Sequence, residues 1–282
     1  MPELPEVESL VRGLRDELIG KSFISVRFFR KDIREKIPQA RLKSILLNQS
    51  VEEVLRRGKY ILIGTDEGFL GIHLGMSGRF VRSARQDERV IHTHAVFTTN
   101  DEHEYRFIDP RRFGRLFDVK RGQLDVHPFL ASLGVEPLDD NVDLARHLYE
   151  RSRRKKLPIK NFLMDSRVVV GVGNIYASEA LWRAQIHPES SACKIDQQEF
   201  VSLAREVQQV LIEAISAGGT TFRDYRDKDG NPGYFQKNLA VYGKESKACK
   251  RCGHSISRNV QSGRSTFFCR FCQKAKKSKL SK

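Results

Sequence analysis

The feature that most constrains the fold is a set of four cysteines near the end of the chain. They form the pattern C-x2-C-x16-C-x2-C, in which each C-x-x-C pair presents two thiolates to one tetrahedral ion. Two disulfides are the alternative, but an intracellular chain rarely keeps them. Since four thiolates leave no open coordination position, we expect one structural Zn²⁺ that stabilises a small module. Its ligands are Cys249, Cys252, Cys269 and Cys272.

The charge of the chain is strongly positive and unevenly spread. The 282 residues include 50 Lys and Arg against 35 Asp and Glu, a net charge of +15. Residues 244–282 contain twelve of the basic side chains and one acid, and residues 151–156 form a second basic run, "RSRRKK". Such clusters favour a polyanion partner, because neutralised phosphates release counterions. A solvated basic surface is the alternative.

Several classes of protein are disfavoured by composition. The chain has no apolar run of about 18 residues, so we expect no membrane span. Acidic residues occupy the N-terminus, where a signal peptide needs a basic region, so we expect an intracellular protein. The length predicts two domains.

Hydrophobic periodicity predicts a helix first, then strands, then helices. An apolar stripe with helical spacing follows Pro5 and ends near Gly20. Short β-type runs follow from about residue 21 to 130, with no helical segments between them, which favours an antiparallel sandwich or barrel. These runs are "FISVRFF", "YILIGT", "FLGIHL", "HAVFTT", "YRFID" and "GRLFDV". Helical patterns return at 142–152, 158–165, 174–185 and 197–217. The segment "TTFRDYRDKDGNPGYFQ" after them predicts a long functional loop.

"VVVGVGNIY" leaves two interpretations open. A dinucleotide fingerprint is weak, because Tyr176 stands where the third glycine belongs. The turn at Gly171 and Gly173 either lets Asn174 and backbone N–H groups meet a phosphate at a helix N-terminus, or makes Asn174 the N-cap.

Three exposed-turn residues are candidates for contacts with nucleic acid. Met76 in "HLGMSG" and Phe113 in "DPRRFG" project from turns if they are not core residues, and apolar side chains can wedge between bases. Lys59 in "RRGKY" is either solvated or aimed into a cleft as a proton donor or phosphate contact.

Pro2 raises the possibility that the end of the chain is itself a reagent. Removal of Met1 leaves Pro2 with a secondary α-amine, and an α-amine is less often protonated at neutral pH than a lysine. The positive end of the following helix lowers the amine pKa further. Such an amine attacks a carbonyl carbon, and Glu3 is placed to transfer protons. The alternative is an ordinary helix start.

These motifs together resemble one known family. "MPELPEVE", "RRGKY", "HLGMSG", "DPRRFG", "GVGNIYASEALW", "GGTTFRDY", "DGNPGYF", "VYGK" and the four cysteines occur in the order and spacing of formamidopyrimidine-DNA glycosylases. The resemblance covers about residues 1–273. It implies a bifunctional DNA repair enzyme that removes oxidised purines, chiefly 8-oxoguanine and formamidopyrimidines, and then cleaves the abasic site by β,δ-elimination.

The resemblance also implies residue roles. Pro2 forms a Schiff base with C1′, Glu3 exchanges protons at the sugar, Lys59 donates a proton for β-elimination and Arg264 serves δ-elimination. Arg111 reads the orphaned cytosine. The residues implied to contact DNA or fill the gap left by the extruded base are Met76, His92, Arg111, Phe113, Lys156 and Asn174.

The implied architecture is an α+β multidomain protein. A helix and antiparallel β-sandwich occupy 1–132, a helix–two-turn–helix domain 133–243, a β-hairpin zinc finger 244–273 and a basic tail 274–282. A lesion-recognition loop lies at about 218–236. We expect a monomer acting on double-stranded DNA with oxidised bases, with no small-molecule cofactor, in the cytoplasm and associated with the nucleoid.

Three other functions compete with this interpretation. The first is an endonuclease VIII-type glycosylase for oxidised pyrimidines. The second is a non-catalytic, zinc-dependent DNA-binding protein. The third, an N-terminal-proline enzyme for small carbonyl compounds, leaves the cysteines and the charge unexplained.

Overall fold

The computed structural model describes residues 2–220 and 233–275, which belong to two units. The first comprises Met1–Ser132 with Ala214–Gln236, and the second comprises Leu133–Glu213 with Lys237–Lys282. Most of the predicted loop at 218–236 and of the predicted tail at 274–282 lies outside the described residues. The domain boundaries drawn from the sequence remain predictions.

The first unit is built on two antiparallel sheets. Its described part contains β1 (Phe23–Phe28), β2 (Glu53–Arg57), β3 (Tyr60–Thr65), β4 (Gly68–His73), β5 (Arg79–Ala84), β6 (Thr93–Thr99), β7 (His103–Ile108) and β8 (Arg115–Lys120). The strand orders are β1-β6-β7-β5 and β2-β3-β4-β8, with every pair antiparallel. Buried side chains from both sheets form one core, so the predicted sandwich is confirmed.

Two helices complete this core. They are α1 (Leu4–Leu18) and α2 (Gln39–Leu46). The predicted apolar stripe of α1 is buried along its length, and Leu42 and Leu46 anchor α2 one turn apart. Helices cover sheets in this way because each element has one apolar face to remove from water.

The sequence missed α2, β2 and β5. The expectation that no helix lies among the strands was therefore wrong, because α2 lies between β1 and β2. Both missed strands are at sheet edges, where "EVLRR" and "RFVRSA" carry charges that protect an open edge. α2 buries only two side chains, too few for a clear periodic pattern.

The second unit is helical and ends in a hairpin. Its elements are α3 (Leu144–Ser152), α4 (Ile159–Leu163), α5 (Asn174–Arg183), α6 (Gln197–Ser216), β9 (Ser257–Gln261) and β10 (Arg264–Phe268). The last three residues of α6 belong to the first unit. The β9–β10 turn has φ values of 47° at Ser262 and 74° at Gly263, as a two-residue type I′ turn requires. The predicted α+β fold class is confirmed.

Truncating Leu14 to alanine should destabilise the first unit. Leu14 is fully buried in the shared core, so Leu14→Ala is expected to lower the free energy of unfolding by about 2–5 kcal/mol. Urea titration followed by circular dichroism measures this change. Arg12→Ala on the exposed face of α1 is the control, since that side chain is 59% exposed and should change the value by less than about 1 kcal/mol. Equal losses of unfolding free energy in Leu14→Ala and Arg12→Ala would contradict the placement of Leu14 in the core.

Candidate functional site

The N-terminus of α1 is held by a buried carboxylate. Pro2 and Glu3 are both buried, and Glu3 is the N-cap. The Glu3 backbone N–H donates to Glu6 Oε2 at 2.7 Å, and the Thr220 backbone N–H donates to Glu6 Oε1 at 2.7 Å. Glu6 therefore joins the predicted nucleophile region to the residue at which the long loop begins. In the sequence, Glu6 is marked only by its position three residues after the N-cap Glu3, where a capping box places a Glu or Gln.

Lys59 lies in the tight turn between β2 and β3. Arg57 pairs with Tyr60 across this hairpin, so Gly58 and Lys59 alone form the turn. Gly58 has a φ of 58°, which glycine adopts without a steric cost at the first turn position. Lys59 is half-buried. The hairpin thus fixes the start of the Lys59 side chain at the end of the sheet.

A neutral histidine adjoins Lys59. His73 Nδ1 accepts the backbone N–H of Gly75 at 3.1 Å. Burial of the ring lowers the pKa of His73 to about 3, and the positive charges of Lys59, Arg115 and Arg34 act in the same direction. His73 is therefore uncharged at neutral pH, with Nδ1 as the acceptor. The sequence did not single out His73, although it opens the quoted "HLGMSG" motif.

A second buried carboxylate ties this turn to "DPRRFG". Asp109 Oδ1 accepts the Ser77 hydroxyl at 2.7 Å and the Arg111 N–H at 3.3 Å, while Oδ2 accepts the Gly114 N–H at 2.8 Å. The Asp109 backbone N–H donates to the carbonyl of exposed His92 at 3.1 Å. The Asp109 side chain thus connects two turns, and its backbone N–H adds the segment at His92. Asp109 was quoted within its motif but was given no role.

This arrangement brings three predicted DNA-contact residues together. A Cβ on Gly75 would lie 2.5 Å from the Phe113 carbonyl carbon, so the two turns touch through their backbones. Met76 is 38% exposed and Phe113 41% exposed. The Arg111 guanidinium lies 4.9 Å from the centre of the Phe113 ring. Neither apolar side chain is a core residue, which resolves the alternative left open by the sequence.

Asn174 does not cap α5. The N-cap is Gly173, and Asn174 is the first helical residue. Its Nδ2 donates to the Ser265 carbonyl at 3.0 Å and to Tyr242 Oη at 3.3 Å. The N-cap interpretation was therefore wrong, since the amide instead binds the hairpin and the segment before it. Both amide hydrogens are used within the second unit.

A third buried carboxylate lies one turn further along α5. Glu179 is fully buried and accepts the backbone N–H groups of Ala240, Val241 and Tyr242 at 2.8, 2.9 and 2.8 Å. It fixes the segment that carries the Tyr242 partner of Asn174. No sequence pattern pointed to it.

The other two predicted residues of the second unit are exposed. Arg264 is the first residue of β10, adjacent to the Ser265 carbonyl that Asn174 contacts. Lys156 lies in the basic run before α4, and its carbonyl accepts the Ser191 hydroxyl at 3.1 Å. The structure therefore makes Asn174 and Arg264 neighbours.

The four predicted ligand cysteines form one cluster. Their Sγ atoms lie within 4.8 Å of one another. Cys252 and Cys269 are 3.4 Å apart, and Cys249 and Cys272 3.9 Å apart. These separations exceed an S–S bond of about 2.05 Å, which excludes the disulfide alternative. They fit a tetrahedron with metal–sulfur bonds of about 2.3 Å.

One cysteine has a partner in α5. Trp182 Nε1 donates to Cys249 Sγ at 3.4 Å, and the backbone N–H of Arg251 lies 3.5 Å from the same sulfur. Burial raises the pKa of the Cys249 thiol, but these two N–H donors, together with hydrogen bonds from the Cys252 backbone and the Cys269 side chain, outweigh it and lower the pKa to about 6. The environment therefore favours the thiolate that a metal needs. The Arg251 guanidinium stacks 4.6 Å from the Trp182 ring.

Three family models cover most of the chain. The formamidopyrimidine-DNA glycosylase N-terminal domain matches residues 1–116, the H2TH domain of the same enzymes 133–226, and the zinc finger found in FPG and IleRS 246–275. The chain belongs to the formamidopyrimidine-DNA glycosylase family. The predicted glycosylase and zinc-finger assignments are confirmed.

Similar proteins share nearly the whole length. The formamidopyrimidine-DNA glycosylase of Rickettsia conorii is 43% identical, and the match covers 97% of this chain and 99% of that protein. The enzyme of Ruthia magnifica is 44% identical, and the match covers 97% of this chain and 100% of that protein. The MutM (FPG) crystal structure from Thermus thermophilus is 38% identical, covers 98% of this chain and 100% of its own, and has a TM-score of 0.86. A Lactococcus lactis FPG mutant bound to Fapy-dG-containing DNA is 31% identical, with 97% and 100% coverage and a TM-score of 0.88.

The described helices include none with the length and apolar character needed to cross a bilayer.

Replacing Asp109 by asparagine should loosen the Met76 and Phe113 turns. One oxygen becomes an NH₂ group that opposes the N–H and O–H donors around it, so Asp109→Asn is expected to lower the free energy of unfolding by about 1–3 kcal/mol. Urea titration measures the loss, and amide hydrogen exchange at Gly114 should accelerate. Ser77→Ala removes one donor only and should cost less. An amide exchange rate at Gly114 in Asp109→Asn equal to that of the wild type would contradict the role of the Asp109 carboxylate in fixing this turn.

Replacing Trp182 by phenylalanine should weaken metal retention. Phenylalanine keeps an aromatic side chain but lacks the N–H donor to Cys249. Zinc transfer to a colorimetric chelator is therefore expected to be about 10-fold faster or more. Arg251→Met is the control, since it removes the stacked cation and keeps the indole donor. Because Trp182 is the single tryptophan, its fluorescence in the wild-type protein should also shift on chelation. Equal rates of zinc release from the wild type and the two variants would show that the Trp182–Cys249 hydrogen bond does not retain the metal.

Proposed function

We propose that the chain excises oxidised purines from duplex DNA and then cleaves the strand at the abasic site. Support comes from relatives whose structures hold the corresponding DNA. Lactococcus lactis FPG was solved with Fapy-dG-containing DNA and with abasic-site DNA, and MutM with DNA containing carbocyclic 8-oxo-G. These proteins match this chain over 96–97% of its length.

The observation that carries the proposal is the buried Pro2–Glu3 pair at the positive end of α1. Once Met1 is removed, the helix dipole disfavours the protonated form of the Pro2 amine. The neutral amine attacks C1′ of the damaged nucleoside and loses its proton as the N–C1′ bond forms. The electron pair of the glycosidic bond leaves with the base, which takes up a proton. Protonation of the ring oxygen O4′ then breaks the C1′–O4′ bond, and the nitrogen lone pair forms the C=N bond of an iminium ion that links the chain to DNA.

The remaining steps are proton transfers and eliminations. Glu3, next to the nucleophile, exchanges protons at the sugar. The iminium acidifies C2′, loss of that proton breaks the C3′–O bond, and a second elimination breaks the C5′–O bond. We assign proton donation in the first elimination to Lys59 and support of the second to Arg264.

The exposed turns of the first unit suit an extruded nucleotide. Flipping a base costs a few kcal/mol, which side chains inserted into the stack offset. Met76 and Phe113 are apolar and exposed, and Arg111 beside them has the N–H donors to read the orphaned base. His92, Lys156 and Asn174 contact phosphates in this proposal. Asn174 must then exchange one of its two internal hydrogen bonds for the phosphate.

The cysteine cluster holds one Zn²⁺ in this proposal. Four thiolates at tetrahedral separations leave no position for water, so the ion stabilises the hairpin module and takes no part in the chemistry.

A second activity on oxidised pyrimidines is favoured by one relative. Lactococcus lactis FPG was also solved with DNA containing an oxidised pyrimidine. Matched duplexes that carry 8-oxoguanine or thymine glycol separate the two substrates in single-turnover assays. We expect faster excision of 8-oxoguanine, and faster excision of thymine glycol would overturn the purine assignment.

Replacing Pro2 by glycine should abolish most excision while DNA binding persists. The secondary amine becomes a primary one on a more mobile residue, so the single-turnover excision rate is expected to fall by roughly two orders of magnitude or more. Intact mass spectrometry first establishes that Met1 is absent. Borohydride then traps the wild-type protein on lesion DNA through its N-terminal residue.

Pro5→Gly is the matched control, because Pro5 lies in the same first turn but carries no terminal amine. It should keep borohydride trapping and most of the excision rate. Wild-type excision by Pro2→Gly would refute the nucleophile, and absence of trapping by active wild-type protein would favour a binding module without covalent chemistry.

A further inference from the structure

Lys160 is a buried lysine to which the proposed chemistry gives no role. It lies in α4 and is 1% exposed. Lysine is among the residues that are rarely buried completely, because desolvating an ammonium group is costly unless partners replace the water. The partners of such a group therefore indicate why the charge is retained.

Two of these partners belong to β10. Lys160 Nζ donates to Thr266 Oγ1 at 2.7 Å and to the Ser265 carbonyl at 3.1 Å. The Thr266 hydroxyl in turn donates to Gln261 Oε1 at 2.9 Å, on the partner strand β9. The ammonium group is thus connected to both strands of the hairpin.

The Ser265 carbonyl receives a second donor from another helix. Asn174 Nδ2, at the start of α5, donates to it at 3.0 Å. Two side chains from different helices therefore hold the carbonyl of Ser265, the residue directly after Arg264. Because Arg264 is exposed and is the first residue of β10, fixing the backbone at Ser265 restrains the direction in which the Arg264 side chain leaves the strand.

Attachment of the hairpin to the helical part of the unit does not depend on Lys160 alone. Asn161 Nδ2 donates to Ser262 Oγ at 2.7 Å, and Asn259 Nδ2 donates to Glu189 Oε1 at 2.7 Å. If attachment were the whole purpose, an apolar residue of similar length would serve as well as a buried charge. The contacts of Lys160 differ in acting on the backbone next to Arg264.

We infer that Lys160 is a positioning residue that fixes the Ser265 peptide and thereby aims Arg264. This inference rests on the proposed role of Arg264 in the second elimination. It predicts a defect in that step, since the Ser265 and Thr266 acceptors of the Lys160 ammonium are the two residues that follow Arg264.

Lys160→Met tests the inference on a duplex with a preformed abasic site. The β-elimination product ends in an unsaturated aldehyde and the β,δ-elimination product in a 3′-phosphate, so gel electrophoresis gives their ratio. We expect the ratio of β,δ- to β-product to fall about 10-fold or more, because a small displacement of a catalytic group carries a large cost in rate. Borohydride trapping, bound zinc and the melting temperature should stay near wild-type values.

Asn161→Ala is the matched control. It removes a contact between the same helix and the same hairpin, but at the turn and not beside Arg264. Its product ratio should equal that of the wild type. A wild-type ratio in Lys160→Met, or an equal fall in Asn161→Ala, would overturn the inference.

Two further variants keep the outcome decisive. Should Lys160→Met lose its zinc, Thr266→Val removes one Lys160 partner and keeps the buried ammonium, and its ratio should fall several-fold; an unchanged ratio overturns the inference. Arg264→Ala separates the two levels of the proposal. A normal ratio there refutes the role of Arg264 itself, whereas a fall there with a normal ratio in Lys160→Met refutes only the positioning role.

Discussion

Backbone N–H groups in irregular segments must be satisfied when they are buried, and this protein meets that requirement with carboxylates. Glu6, Asp109 and Glu179 are all buried, and together they accept backbone N–H groups from four separate peptide segments. An ionised carboxylate accepts several hydrogen bonds at once and makes each of them stronger than a neutral one. The N-terminus of α1 and the "DPRRFG" turn are therefore fixed by side chains that take no direct part in the proposed chemistry.

Helix α5 plays the corresponding part in the second unit. Asn174 at its first residue contacts the hairpin, Glu179 in its middle holds the preceding segment, and Trp182 near its end donates to a cysteine sulfur. A module of about 30 residues buries too little apolar surface to fold alone. The metal-ligating cluster and one helix supply what its small core lacks.

The sequence predicted the central strands, the edge strands β1 and β8 and the long amphipathic helices, because burial on one or both faces leaves a periodic apolar pattern. It missed the edge strands β2 and β5, where one side of the ladder is open and charged residues are favoured. It also missed α2, whose two buried leucines give no sustained period. The two interpretations of Asn174 stayed open for a related reason, since residue type at a helix start does not reveal whether the side chain turns back to the helix or binds elsewhere.

The sequence by itself determined the cysteine ligands, the turn motifs and the family, since each depends on residues close together in the chain. Only the tertiary structure decided which residues position them. Glu6 meets Thr220 across 214 residues, and Lys160 meets Thr266 across 106. Asp109 meets Ser77 across 32. Contacts of this kind follow from how the sheets and helices pack, and they leave no local periodicity or spacing from which a single sequence could reveal them.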